Sequence, residues 1–286
     1  MFTERHHHHE ASHDPRDPEN PQLGHKELKK ADEEESLDAP TTHEVIRRQG
    51  EKELERTAAA LAWSALGAGL AMGLSMVAEG VLRSHLPDAE WRPLITKLGY
   101  AVGFLIVILG SQQLYTENTL MPIVPYMMRR TGQMARKVLT LWMVVLVGNL
   151  VGAFVFAWVA GSTDLFKPEY REAFTEIGRE ALEGSFGTIL IRGIVAGWII
   201  ALMVWMLPAA QTAQVTVIIL MAWLVGVGSF AHIIVGSVET LYLVVTDVIS
   251  FGDYLWRFMV PALLGNTLGG VVLVALLNHA QVTSNK

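Results

Sequence analysis

Two short polar stretches interrupt long apolar runs of this chain, and they carry the side chains best able to do chemistry there. The first is Gly110-Ser111-Gln112-Gln113-Leu114-Tyr115-Thr116-Glu117-Asn118-Thr119; the second is Gly226-Val227-Gly228-Ser229-Phe230-Ala231-His232, followed by Gly236-Ser237-Val238-Glu239. His232 is the histidine at membrane depth, because His85 and His279 fall near the ends of apolar runs. An ionisable group in hydrocarbon is expensive and usually tied to function. The structural alternative is a neutral imidazole hydrogen-bonded inside a helix bundle; the place of His232 in an interruption favours function. A hydrogen bond from Thr116 would fix its tautomer and orientation. Glu117 and Glu239 follow the two inserts. Near a helix N-terminus they would cap it; ionised and facing a lumen they would repel an anion, favouring neutral solutes, cations or a proton-coupled cycle. Both readings stand at this level. Arg192 either pairs with one of them, draws anions inward, or snorkels at the interface. Glu79, at the end of the first apolar run, reads as interfacial.

Those residues need elements to hold them. Hydrocarbon offers a backbone no water, so irregular chain at that depth survives only inside protein or along a pore. Paired interruptions in two halves of a membrane protein mark a binding or permeation site near the midplane. The chain has 286 residues, 51% of them hydrophobic, and no cysteine. That excludes thiol catalysis, cysteine metal sites and disulfides. No His-Glu-x-x-His, Gly-x-Gly-Asp or Walker motif is present, so neither an enzyme nor a cofactor is expected. Net charge is −6, and Asp32-Glu33-Glu34-Glu35 argues against a nucleic-acid partner.

Residues 1–40 carry Pro15, Pro18, Pro21 and Pro40, much charge and few apolar side chains, which predicts a disordered cytoplasmic tail. Its His6-His7-His8-His9 cluster reads as incidental or a tag rather than a metal site. Thr42 is the expected N-cap of an amphipathic cytoplasmic helix over 41–56, with polar residues on every side. The membrane domain is expected over 57–281, with a short tail at 282–286. Six spans are expected, at 57–84, 95–129 (broken), 134–160, 187–207, 213–248 (broken) and 255–280. The basic loop from Arg129 to Lys137 belongs in the cytoplasm, and the acidic segment 161–185 on the opposite face. An even number of spans leaves both termini cytoplasmic. A short amphipathic helix is predicted from Pro168, with Phe174, Ile177 and Leu182 inward.

The halves repeat. Gly148-Asn149-Leu150-Val151-Gly152 in span three matches Gly265-Asn266-Thr267-Leu268-Gly269 in span six. Three spans per half implies repeats of opposite topology. The chain thus reads as an all-α integral membrane protein of six transmembrane helices in two inverted three-helix repeats, with spans two and five broken. The glycines allow close helix approach, and Asn149 and Asn266 are expected to bond neighbouring helices, a structural role. Half-helices starting near Thr116 and Gly236 would aim positive ends at the centre.

Leu114-Tyr115-Thr116, Gly148-Asn149-Leu150-Val151-Gly152, Gly193-Ile194-Val195-Ala196 with Val204-Trp205-Met206, and Ser229-Phe230-Ala231-His232 resemble the formate–nitrite transporter family, from about residue 44 to 281. The stretches at 50–56, 112–119 and 232–239 resemble its YfdC-like branch. The resemblance implies an aquaporin-like protomer with its own pore, a pentamer, a place in the bacterial inner membrane, and transport of small monovalent anions or their weak acids. It makes Thr116 and His232 the central pair and Tyr115 and Phe230 candidate constrictions, with Leu114, Glu117, Glu239 and Arg192 completing the candidate pore set. Ala231 and Gly236 stand where better-studied members have glutamate and asparagine, and Gly197 where they have a further asparagine. A neutral-solute or proton-coupled pore, or a gated sensor, is the alternative.

Overall fold

The computed structural model describes residues 37–284, so the His6–His9 cluster and Asp32–Glu35 lie outside the described residues. Among those described, every regular element is a helix. In chain order they are α1 (Ala39–Leu54), α2 (Ala58–His85), α3 (Arg92–Thr96), α4 (Ala101–Leu109), α5 (Ile123–Arg129), α6 (Gly132–Ser162), α7 (Pro168–Ala181), α8 (Phe186–Ala210), α9 (Gln214–Val227) and α10 (Ile233–Val245). The last span is assembled from α11 (Phe251–Asp253), a π-helical stretch Tyr254–Met259, α12 (Val260–Leu268), a second π-helical stretch Gly269–Leu276, and α13 (Leu277–Ser284).

Among the described residues five helical stretches are long and apolar enough to cross a membrane: Ala58–His85, Arg92–Leu109, Gly132–Ser162, Phe186–Val227 and Phe251–Leu276. The fourth has 42 residues, about twice what one crossing needs. Gln211, with φ of 36°, divides it into α8 and α9. The apolar α10 has only 13 residues and continues from α9 across the second interruption. Trp63, Trp158, Ile191 and Trp256 project outward from these helices, as expected where the surrounding solvent is hydrocarbon.

Two helix pairs form the frame: α2 lies against α6, and α8 against the last span. Their closeness depends on missing side chains. A Cβ at Gly152 would collide with the Leu66 carbonyl of α2, and one at Gly269 with the Ile194 carbonyl of α8. Gly148 and Gly265 sit at the same two seams, against Ala65 and Leu190.

Helix α1 departs from expectation. It begins at Ala39, so Thr42 lies buried inside its first turn instead of capping it. Ile46, Gly50 and Leu54, spaced by four, make a buried stripe that packs on α5 and α8. The helix is therefore amphipathic, as expected, with one buried stripe among its many polar residues. On its outer face Glu44 bonds Arg47 and Arg48, both at 2.7 Å, and these guanidinium groups hold its carboxyl down to about 2. Thr57 caps α2 by accepting from the Ala60 N–H. Helix α7 starts at Pro168 and buries Phe174 and Ile177, as its pattern predicts, with Leu182 buried just beyond its end.

Candidate functional site

The two interruptions are built alike. Helix α4 ends at Gly110 and Ser111, whose φ is 51°, and the Gln112 N–H donates back to the Val107 carbonyl at 2.9 Å. Helix α9 ends at Gly228 and Ser229, φ 50°, and the Phe230 N–H donates to the Val225 carbonyl at 3.0 Å. A left-handed residue with that back-bond satisfies the orphan carbonyls of a helix end. An asparagine then holds each extended segment. Asn149 accepts the Tyr115 N–H at 2.9 Å and donates to the carbonyls of Gln113 and Ala65, both at 2.8 Å. Asn266 accepts the Ile233 N–H at 2.8 Å and donates to the carbonyls of Ala231 at 2.7 Å and Gly193 at 2.9 Å. Both asparagines are fully buried. They supply partners that the broken helices cannot, as buried backbone requires.

These bonds set the correspondence between the halves. The clamped residues Gln113 and Tyr115 match Ala231 and Ile233, so the counterpart of His232 is Leu114. Thr116 lies two positions beyond it. Glu117 and Glu239 are therefore not counterparts of each other.

Beyond the clamps the halves diverge. His232 is the N-cap of α10, which starts at Ile233, earlier than Gly236. The first break leads only into a 3₁₀ turn, Glu117–Thr119, and α5 begins after Pro122. The positive end of an α-helix thus meets the centre on one side, at His232.

Across the middle, His232 Nε2 lies 2.9 Å from Thr116 Oγ1. Both residues are almost fully inaccessible. His232 Nδ1 accepts the Val235 N–H at 3.3 Å. In a neutral ring with Nδ1 accepting, the proton is on Nε2, which donates to Thr116 Oγ1. The threonine's own hydroxyl proton is then left for another acceptor. The edge of the buried Phe104 packs on the imidazole with ring centroids 5.0 Å apart.

A cavity lies on each side of this pair. The smaller, about 50 Å³ beneath α7, is lined by Lys97, Glu180, Arg192, Phe230, His232 and Glu239. The larger, about 670 Å³ beside α1, is lined by Lys52, Glu53, Arg56, Gln112, Gln113 and Glu117. Neither glutamate acts as a cap. Glu117 Oε1 is buried with no hydrogen-bond partner. Glu239 has no hydrogen bond and no ion pair among the described residues, and stands well inside α10.

Other expected site residues fall differently. Tyr115 lines neither cavity; its hydroxyl lies 2.8 Å from Thr267 Oγ1 and its ring packs edge-on to Trp142. Leu114 is fully buried. Arg192 pairs with neither glutamate and donates to the Glu183 carbonyl at 2.8 Å. Glu79, expected at the interface, is fully buried in the protein, where Lys97 pairs with Oε1 and Oε2 has no hydrogen-bond partner. Lys97, Phe104 and Gln113 belong to the site without having been singled out. Gln113 Nε2 donates to Glu53 Oε2 at 2.7 Å, tying α1 to the first break. A lysine at the edge of an apolar run reads as a snorkelling anchor, and Phe104 looks like any core residue. Only the neighbouring Glu79 hinted at a partner.

Residues 40–280 match the family model described as formate/nitrite transporter. The inner membrane protein YfdC of Escherichia coli (strain K12) is 44% identical over 247 residues, covering 86% of this chain and 80% of that protein. The formate channel BtFdhC of Bacillus thuringiensis is 25% identical over 241 residues, covering 81% and 90%. A solved pentameric formate channel with formate bound superposes with a TM-score of 0.67 at 20% identity, covering 84% of this chain and 99% of that one. With its apolar helices, paired breaks and match along nearly the whole membrane region, the chain belongs to the formate/nitrite transporter family, a family of channels and transporters rather than enzymes.

Proposed function

We propose that this chain forms a path for small monovalent anions or their weak acids, such as formate or nitrite, through each protomer. The observation that carries the reading is the buried 2.9 Å bond between Thr116 and His232, which joins the two breaks between a cavity on either side. On this reading the chain crosses the inner membrane six times in two inverted three-helix halves, α10 completing the fifth crossing. The basic Arg129–Lys137 loop and α1 lie in the cytoplasm with both termini, and α7 faces outward. Protomers assemble as pentamers. The 44% identity to an inner membrane protein and the likeness to a pentameric channel support this arrangement.

The chemistry follows from the geometry. An anion leaving water for the apolar surroundings of Phe104 and Phe230 loses much of its hydration. The Thr116 hydroxyl, freed by the Nε2–H···Oγ1 bond, offers it a donor. The N-terminal end of α10 offers a positive potential. Leu114, the counterpart of His232, presents no polar group, so the donor is single and the site holds one small ion weakly enough to release it.

The test is uptake of formate, nitrite, acetate and glycerol into proteoliposomes. Formate or nitrite flux that falls about 10- to 100-fold in His232→Ala, the scale of one lost charge-assisted interaction, is the expected result. Glycerol flux without anion flux would contradict it.

A further inference from the structure

We infer that Glu239 and Glu117 are the proton-exchanging groups of this path, one in each cavity, so that an anion crosses the His232–Thr116 pair together with a proton. The inference rests on the transport reading above and adds the two carboxyl groups that exchange the proton.

Glu239 lies seven residues after His232 on α10, a spacing that returns to the same helix face about 10 Å along the axis. Both side chains open onto the cavity beneath α7. Charged and titratable groups line or adjoin that cavity from each surrounding element, and most of them are engaged elsewhere. Glu79 of α2 holds Lys97, which also lies 3.7 Å from Glu180 of α7. Arg83 of α2 takes Glu180 at 2.6 Å. Arg192 of α8 bonds the Glu183 carbonyl. Tyr254 of the last span donates to Ser237. Tyr100, between α3 and α4, shares the cavity wall. Glu239, 6% exposed, has no hydrogen bond and no ion pair among the described residues; Lys97, on the same cavity wall, is a counter-charge beyond ion-pair distance that Glu79 already holds.

Glu117 repeats the situation on the other side. It follows Thr116 directly, is 9% exposed, and its Oε1 has no partner. In its cavity Glu53 is held by Arg56 at 3.1 Å and by Gln113, leaving Lys52 as the remaining charge on α1 that lines it. An unpaired carboxylate at that depth is costly, and a proton is the smallest partner that can relieve it.

The step balances. An anion beneath α7 takes the proton of the Glu239 carboxyl, leaving a neutral acid and a Glu239 carboxylate. The neutral acid passes Phe104, Phe230 and the His232–Thr116 pair without carrying charge across the apolar section. Beside α1 Glu117 first releases its proton to water in the larger cavity, then takes the proton of the neutral acid, which leaves as the anion. Glu239 takes a proton from water beneath α7, so both carboxyl groups end the cycle protonated. One anion and one proton cross per cycle, in either direction.

The experiment pairs two readouts on the full-length protein. In proteoliposomes with an internal pH dye and labelled formate, wild-type protein should move protons with formate. Glu239→Gln and Glu117→Gln, close in shape but unable to exchange a proton, should each lower flux at least ~10-fold and flatten its pH profile, the scale of one proton-transfer group. Unchanged or raised formate flux in both variants would overturn the inference, because the carboxylates would then be structural or merely repulsive. The second readout needs no substrate. Dicyclohexylcarbodiimide, which attacks protonated carboxyl groups in apolar surroundings, should label Glu117 and Glu239 in the wild type, decreasingly as pH rises; absence of label at both would also overturn it. Wild-type protein that carries no formate but labels at both glutamates would defeat the formate reading while leaving these groups as proton exchangers.

Discussion

The two breaks differ in a way that separates scaffold from chemistry. Both end a helix on a Gly-Ser pair with the serine left-handed, and both hand their next carbonyl and N–H to a buried asparagine. Yet between the clamped residues one break carries Leu114 and the other His232. One continues into a 3₁₀ turn and Pro122, the other straight into α10. Shared construction clamps both breaks, and the residues between the clamps are where they differ.

If the clamps are scaffold, they should matter equally. Asn149→Leu and Asn266→Leu each remove three hydrogen bonds from buried backbone, and each should destabilise the protein by about 4 kcal/mol. Thermal unfolding in detergent measures this; a severe loss in one and none in the other would break the equivalence. The ion pair belongs to one side. Glu79→Gln leaves the largely buried Lys97 with Glu180 at 3.7 Å as its remaining ion-pair partner, so a loss of about 3 kcal/mol is expected by the same assay. The smallest effect is on α1, which is not among the helices of spanning length and apolarity. With Glu44 held at about 2 against its ordinary 4.5, its contribution is present above pH 4.5 and disappears as pH falls towards 2. Hydrogen exchange of α1 should therefore quicken over that window, less so in Glu44→Gln, and the difference should shrink in high salt because the group is exposed.

Much of the architecture was legible because the bilayer imposes simple rules. Runs of spanning length, their two polar interruptions and the repeated Gly-Asn pattern locate the helices, the breaks and their clamps, since each follows from the backbone's need for partners in hydrocarbon. His232 stood out as a histidine in an interruption, and Thr116 was set opposite it by family resemblance; the structure brings the two within 2.9 Å. What escaped were pairings between distant positions. Glu79 looked interfacial because Lys97, its partner, follows a turn of chain away. Helix α1 hid its buried stripe of Ile46, Gly50 and Leu54 because the stripe includes a glycine, whose role is closeness to the Met121 carbonyl rather than hydrophobicity. Tyr115 looked like a constriction by position, whereas its hydroxyl is turned to Thr267. The Gly-Ser pairs were visible in both inserts, and aligning them would have matched His232 with Leu114.

The central claim is that Thr116 and His232 act as one unit. A double-mutant cycle on formate uptake, with Thr116→Val, His232→Ala and the double variant, tests it most directly. The account expects each single change to lower flux about 10- to 100-fold, and the double change to lower it no further than the worse single, because either one abolishes the same bond. Losses that multiply, or single variants with wild-type flux, would contradict it.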